Sequence, residues 1–177
     1  ANLFALSKKD GGIRPIAVGE TFRRLPAKCA SRILTHNMSS YFSPIQLGTG
    51  TPNGAEAAAH AARHFLSTTG DDTVFIKLDF RNALNSLRRD SIAEGISTRA
   101  PEIYPLFTTC YKHRSFLFYG DYIINSDEGF QQGDPIASFG FSLALHPSLT
   151  NITSKFKLAY LDDVSFGDNW EIVLDDL

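Results

Sequence analysis

The sequence has almost no cysteine. Cys29 and Cys110 are the only two in 177 residues. They lie far apart, without the paired spacing of a zinc cluster or a redox couple. A reduced, intracellular setting is the default for such a chain. Long apolar runs are also missing. The longest span only a few residues, far short of the ~18 that mark a membrane span. No basic-then-apolar leader opens the chain, so no secretory signal is visible and no membrane partner is expected. There is no internal repeat and no low-complexity linker, which argues against solenoids and disordered tails. What is present is ordinary globular material: 43% apolar, 20% charged, 13 Gly and 8 Pro. That suits one domain, or two small subdomains sharing a core. The chain begins on Ala1 and ends on Glu171–Leu177 without a stop signature, so the expectation is a piece of a longer protein.

The net charge of −2 argues against a generic nucleic-acid binder, but the charge is unevenly spread. Residues 1–40 hold Lys8, Lys9, Arg14, Arg23, Arg24, Lys28 and Arg32 against Asp10 and Glu20, a balance of +5. Residues 158–177 hold Asp162, Asp163, Asp168, Glu171, Asp175 and Asp176 with no Lys or Arg, a balance of −6. Two readings fit. Both ends are solvated surface, or one end holds polyanions and the other cations.

Patterning predicts a mixed chain. Leu3–Leu6 and Ile13–Val18 read as short strands around an Asp10-Gly11-Gly12 turn. Leu25, Cys29 and Ile33 have helical spacing, so a helix is expected from Thr21, as cap, to about Met38, with Pro26 in or near its first turn. Residues 43–54 form a Gly/Pro-rich loop, and Ala55–Ser67 is Ala-rich and helical. Thr73–Asp79 reads as a strand ending in an acid. Helices are expected over Asp90 to about Thr98, broken by Pro101, then in a second short helix that runs to about Tyr111, and from Ser138 to about Ser148. Ser115–Tyr119 and Tyr122–Asn125 flank Gly120-Asp121, a two-residue hairpin signal. Phe156–Leu161 and Val164–Gly167 read as strands joined at Asp162-Asp163. The fold class is α+β rather than a doubly wound parallel sheet.

The dipeptide Asp-Asp occurs three times, at 71–72, 162–163 and 175–176. By itself it carries little. Asp71-Asp72 follows Gly70 as a solvated turn does, and Asp175-Asp176 lies at the end of the chain. Asp162-Asp163 sits between apolar strands, where two adjacent carboxylates need compensation. If their strands are neighbours, Asp79 and this pair converge. Gathered carboxylates can hold two Mg²⁺ about 4 Å apart for in-line phosphoryl transfer. The alternative is a strand-end residue and a plain hairpin turn.

In order along the chain, Lys8-Lys9-Asp10-Gly11-Gly12-Ile13-Arg14-Pro15-Ile16, Gln46-Leu47-Gly48 through Gly54, Leu78-Asp79-Phe80-Arg81-Asn82-Ala83-Leu84-Asn85, Glu128-Gly129-Phe130-Gln131-Gln132-Gly133-Asp134-Pro135 and Ala159-Tyr160-Leu161-Asp162-Asp163-Val164 resemble five motifs of one family. That family is the reverse transcriptase domain of retrotransposons, above all the non-LTR (LINE-like) branch. The five span nearly the whole chain, and their ordered combination is far more specific than any one of them.

The resemblance implies a right-hand polymerase with fingers over about 1–70 and 101–130, and an antiparallel palm sheet packed by helices over about 71–100 and 131–177. It implies RNA-directed DNA polymerase activity, adding a dNMP to a primer 3′-hydroxyl. Asp79 and Asp162 would hold two Mg²⁺ (or Mn²⁺), with the Phe80 carbonyl as a backbone ligand and Asp163 accessory. Lys8 and Arg14 would meet the triphosphate. Gln132 and Gly133 would line the nucleotide site, Gly133 permitting close backbone approach. An RNA template, a DNA primer or target and dNTPs are the implied partners, and nucleus and cytoplasm the implied location.

Three departures from the pattern stand out. Leu84 replaces an aromatic residue that blocks a ribose 2′-hydroxyl. Pro135-Ile-Ala-Ser138 replaces Pro-Leu-x-Pro. The chain stops soon after the third palm motif, so the primer grip and thumb are expected to be missing and the fragment inactive alone. Two alternatives stay open: a decayed relic that binds nucleic acid without catalysis, and a group II intron or telomerase-like reverse transcriptase. His60 and His64, four apart on a helix, and His113 and His146 have no evident third ligand and read as surface or packing residues. Phe116, Phe118, Tyr119 and Tyr122 read as cross-strand packing or as base-stacking platforms.

Overall fold

A computed structural model describes every residue except Asp10. The turn expected at Asp10-Gly11-Gly12 therefore lies partly outside the described residues. Around it, β1 (Asn2–Ser7) and β2 (Ile13–Val18) pair antiparallel, with Ser7 opposite Ile13. Lys8 N–H donates to the Gly12 carbonyl at 2.8 Å, and Gly11 takes a φ of +83°.

The elements follow in order. They are α1 (Thr21–Asn37), α2 (Ser39–Phe42), α3 (Gly54–Thr68), β3 (Thr73–Asp79), α4 (Ala83–Ser86), α5 (Arg89–Arg99), a 3-10 turn (Pro101–Ile103), α6 (Tyr104–Tyr111), β4 (Ser115–Tyr119), β5 (Tyr122–Ser126), α7 (Ala137–Asn151), β6 (Phe156–Tyr160), β7 (Asp163–Asn169) and α8 (Trp170–Asp175). The fold is α+β, with largely antiparallel sheets packed by helices. One detail departs from expectation. The Glu20 carbonyl accepts the Arg23 and Arg24 amides, so Glu20 rather than Thr21 stands at the head of α1. Pro26 is the sixth residue of α1, just past the first turn, and lacks the amide that would bond the Phe22 carbonyl.

The chain divides into two compact units. The first comprises residues 1–34 and 82–144, the second 35–81 and 145–177. In the first, a four-stranded sheet has the order β2-β1-β4-β5. β1 meets β4 in parallel, and the Ala1 ammonium and carbonyl bracket Phe116 and Phe118. Gly120, at φ +55°, turns the β4–β5 hairpin as the Gly-Asp pair predicts. Ile92 and Ile96 bury one stripe of α5, which packs on α6. The Phe130 ring stands edge-on to Tyr111 and Phe107. Gly140 is forced by that ring, since a Cβ there would lie 2.3 Å from Phe130 Cζ.

In the second unit the sheet order is β3-β7-β6, all antiparallel. One face carries Ile76, Leu78, Val164, Phe166 and Ala159 into a core with Leu149 of α7 and Val173 of α8. On the other face Phe65 of α3 stacks on Phe156 at 4.7 Å, with Phe75 alongside. That cover reaches only one end of the face. The opposite end, bearing Lys77, Asp79 and Asp163, is exposed. No helix among the described residues is long and apolar enough to cross a membrane.

Candidate functional site

The second unit brings two of the expected carboxylates together. Antiparallel pairing of β3 with β7 sets Asp79 directly opposite Asp163. Directly opposed residues project from the same face, with Cβ atoms about 5 Å apart. Two like charges so placed destabilise a sheet. The Lys77 ammonium, two residues back on the same face, reaches Asp163 at 3.0 Å. Both partners keep more than half of their side-chain surface exposed, 62% and 52%, so the ion pair is solvated and easily exchanged.

Asp162 precedes Asp163 in the turn between β6 and β7 and is half-buried. Phe80 follows β3 and is exposed. Among the described residues no three His, Cys, Asp or Glu side chains gather as a metal cage. The donors nevertheless fit Mg²⁺, which prefers carboxylate oxygens, keeps several waters and is held through one or two carboxylates plus substrate phosphate.

The turn carrying Asp162 is held from outside the strands. Leu161 has a φ of +55°, an unusual conformation for a branched residue. Its N–H donates to Gln46 Oε1 at 2.7 Å, and its carbonyl accepts from Gln46 Nε2 at 3.1 Å. Gln46 is wholly buried, at 0% exposure. The segment named in the sequence as Gln46-Leu47-Gly48 thus lies along β6, with Leu47 N–H donating to the Ala159 carbonyl.

The first unit gathers other expected residues. The loop 128–135 is fixed at both ends. Phe130 N–H donates to the Leu84 carbonyl at 2.7 Å, and Asn85 Nδ2 donates to the Phe130 carbonyl. Gly129 has a φ of +54°, and a Cβ there would lie 2.4 Å from the Leu84 oxygen. Further on, Ala17 N–H donates to the Gln132 carbonyl, which docks the loop on β2. Gly133, at φ +116°, faces the Ala17 oxygen where a Cβ would sit at 2.7 Å. Leu84 and Gln132 are half-buried and Gly133 is exposed. Lys8 and Arg14 are exposed and line a shallow cleft of about 560 Å³ with Leu6, Ser7 and Lys9.

Behind the loop lies a network that the sequence did not disclose. The Asp134 side chain is 5% exposed and accepts from Arg23 at 2.8 Å and from the Tyr111 hydroxyl at 2.7 Å. Its second oxygen accepts from Ile136 N–H and caps the approach to α7. Burial and the Asp134 charge push the Tyr111 hydroxyl well above the usual tyrosine range, so it stays a neutral donor. Arg89 donates to the carbonyls of Gly129, Ser126 and Glu128. Arg23 and Arg89 both lie over the Tyr111 ring, at 4.8 and 5.2 Å. In the sequence Arg23 is one more cation of a basic segment. The signal was the Asp in Gly133-Asp134-Pro135, an acid placed where a buried helix begins.

Part of the acidic end proves structural. Asp168 is 4% exposed and accepts from the Lys155 and Asn169 amides, chiefly the former, which lowers its pKa. Asp176 opposes its partial burial by accepting from the amides and hydroxyls of Thr153 and Ser154, which hold its pKa at about 2. His60 and His64 are both exposed, and His60 faces Glu56 at 3.7 Å. Phe116, Phe118, Tyr119 and Tyr122 are exposed on the β4–β5 hairpin.

Comparison with known proteins matches the chain at two levels, family and fold. The family model "Reverse transcriptase (RNA-dependent DNA polymerase)" matches residues 6–169. Among solved structures, the chain is similar to apo telomerase from Candida tropicalis truncated from its C-terminal domain, with a TM-score of 0.61 and 14% identity. The match covers 99% of this chain and 46% of that one, so the chain spans about half the length of its structural relative. At such identity the likeness concerns the fold. No curated protein matches the sequence.

Proposed function

Because the chain belongs to the reverse transcriptase (RNA-dependent DNA polymerase) family, we propose that it is the fingers-and-palm part of a retrotransposon reverse transcriptase of the non-LTR type. The reaction is attack of a primer 3′-hydroxyl on the α-phosphorus of a dNTP. A P–O bond forms to the primer and the bond to pyrophosphate breaks. The template is RNA and the primer DNA.

One observation supports this reading above the others: Asp79 stands directly opposite Asp163 on an exposed sheet face, with Asp162 adjacent. Two opposed carboxylates cost a sheet stability, the solvated Lys77 offsets only part of it, and a divalent cation would relieve the rest. Asp79, Asp162 and Asp163, with the Phe80 carbonyl, are the residues that would hold Mg²⁺. Bound divalent ions supply Lewis-acid stabilisation of the attacking and leaving oxygens. Lys8 and Arg14 neutralise the triphosphate, one as a point charge and the other as a planar fork. Gln132 and Gly133 present backbone to the nucleotide, held there by Asp134, Arg23 and Tyr111. Leu84 faces the question of sugar selection. Positioning and electrostatics carry most of the rate.

The test is primer extension on an RNA template by the full polypeptide that carries this chain, with Mg²⁺ or Mn²⁺. Extension that is lost in Asp79→Asn and in Asp162→Ala supports the reading. Extension that survives both substitutions overturns the site. No extension from the unaltered protein, with duplex binding that weakens steeply with salt, identifies a non-catalytic relic instead.

A further inference from the structure

We infer that Gln46 is a positioning residue for the metal-binding carboxylates, acting through the backbone of Leu161. The inference rests on the reading of Asp79, Asp162 and Asp163 as metal ligands.

The two-residue turn Leu161-Asp162 joins Tyr160 to Asp163, which are paired across β6 and β7. Tight hairpin turns that need positive φ ordinarily use Gly, Asn or Asp. Here Leu161 takes φ +55°, where a Cβ crowds its own carbonyl. Something must hold it, and a single buried amide does so at two points. Gln46 Oε1 accepts the Leu161 N–H, and Gln46 Nε2 donates to the Leu161 carbonyl. The same oxygen accepts the Gly48 N–H at 3.0 Å, which fixes the amide's orientation.

A primary amide of this length offers both donor and acceptor. Ionised glutamate lacks the donor, and methionine offers only a weak acceptor. The main chain of Gln46 is itself anchored. Its N–H donates to the Phe42 carbonyl, while Ile45 and Leu47 bond to Ala159 of β6 on either side. Gly48 completes the fit, because a Cβ there would lie 2.5 Å from the Leu161 nitrogen.

The clamp ends one residue before Asp162 and two before Asp163. Rotation about Leu161 moves both carboxylates. Residues that orient metal ligands without touching the metal commonly matter as much as this arrangement suggests, about 10–100-fold in affinity when removed.

The test is Mn²⁺ binding to the 177-residue chain, read by the electron paramagnetic resonance of free Mn²⁺, without nucleic acid. The comparison is made in a Leu161→Gly background, because glycine accepts positive φ without strain, so the chain folds without the clamp while only the clamp fixes the rotation of the turn. Leu161→Gly alone should bind Mn²⁺ much as the parent chain does. Adding Gln46→Met should weaken binding about tenfold while the metal-free melting temperature stays near that of Leu161→Gly. Gly48→Ala in the natural background should also weaken binding, since it crowds the same nitrogen. Unchanged affinity in Leu161→Gly/Gln46→Met overturns the role of Gln46. Loss of fold in that double variant also overturns it, because Gln46 would then serve the core and not the turn. Unchanged affinity in Asp79→Asn/Asp163→Asn overturns instead the metal-site reading on which the inference rests.

Discussion

Asp79 and Asp163 oppose each other across β3 and β7, and the Lys77 ammonium at 3.0 Å from Asp163 is their nearest compensation. On the proposed reading, the arrangement trades stability for a place that a divalent cation fills. That trade can be measured without any catalytic assay.

Asp79→Asn should raise the metal-free melting temperature by about 2 °C, since it removes a like-charge pair from opposed strand positions. Millimolar Mn²⁺ should raise the melting temperature of the parent chain more than that of the variant, because a ligand that binds only the folded state stabilises it. Differential scanning fluorimetry checks both. A fall in stability for Asp79→Asn would remove the argument for a cation at this face.

Asp134→Ala should destabilise the first unit strongly, by about 3–5 kcal/mol, because Arg23 and the Tyr111 hydroxyl lose a buried partner. Asp134→Ala combined with Arg23→Met should cost less than the sum of the two single changes, since no uncompensated charge remains. Urea denaturation of the four proteins closes the cycle.

Acid should loosen the second unit through Asp176. Its folded pKa is about 2, below the ordinary value of 3.8. The sign follows from the depressed value. The stabilisation is fully present above about pH 4 and is lost as pH falls toward 2. Asp176→Ala should cost about 1–3 kcal/mol at pH 7, where the Thr153 and Ser154 amides lose their acceptor. Parent and variant should converge as pH approaches 2, in denaturation curves followed by circular dichroism.

Leu84→Phe should sharpen selection of deoxyribonucleotides over ribonucleotides by about tenfold, by returning bulk beside the sugar. Its backbone role should survive, because the Phe130 amide bonds the residue 84 carbonyl, not its side chain. The ratio of kcat/KM for dNTP and rNTP in primer extension measures the effect. An unchanged ratio would place the sugar elsewhere.

Local chemistry made much of the fold legible. Gly120-Asp121 announced its hairpin because a two-residue turn is encoded by the turn residues themselves. Asp79 read as a strand end because apolar residues crowd before it. The short helices α2, α4 and α8 were not read, since four to six residues hold too little of a helical period to show a pattern. Distance in sequence hid the rest. Gln46 lies 115 residues from Leu161, and its own neighbourhood reads as a Gly-rich loop. Asp168 and Asp176 fall in the acidic end of the sequence, but Asp168 takes the Lys155 amide from 13 residues away and Asp176 the Ser154 amide from 22. No count of charges separates an acid that caps backbone from one that awaits a cation.

The chain writes its two units in alternation. Residues 1–34 begin the first unit, 35–81 begin the second, 82–144 finish the first and 145–177 finish the second. During synthesis the opening strands must therefore wait. β1 cannot find its parallel neighbour until Phe118 has been made, and β3 leaves the ribosome long before β7 exists to pair with it. No single cut releases either unit whole, and a segment that carries one intact must carry more than half of the other. A crossover anywhere within residues 35–144 therefore separates parts of both units at once.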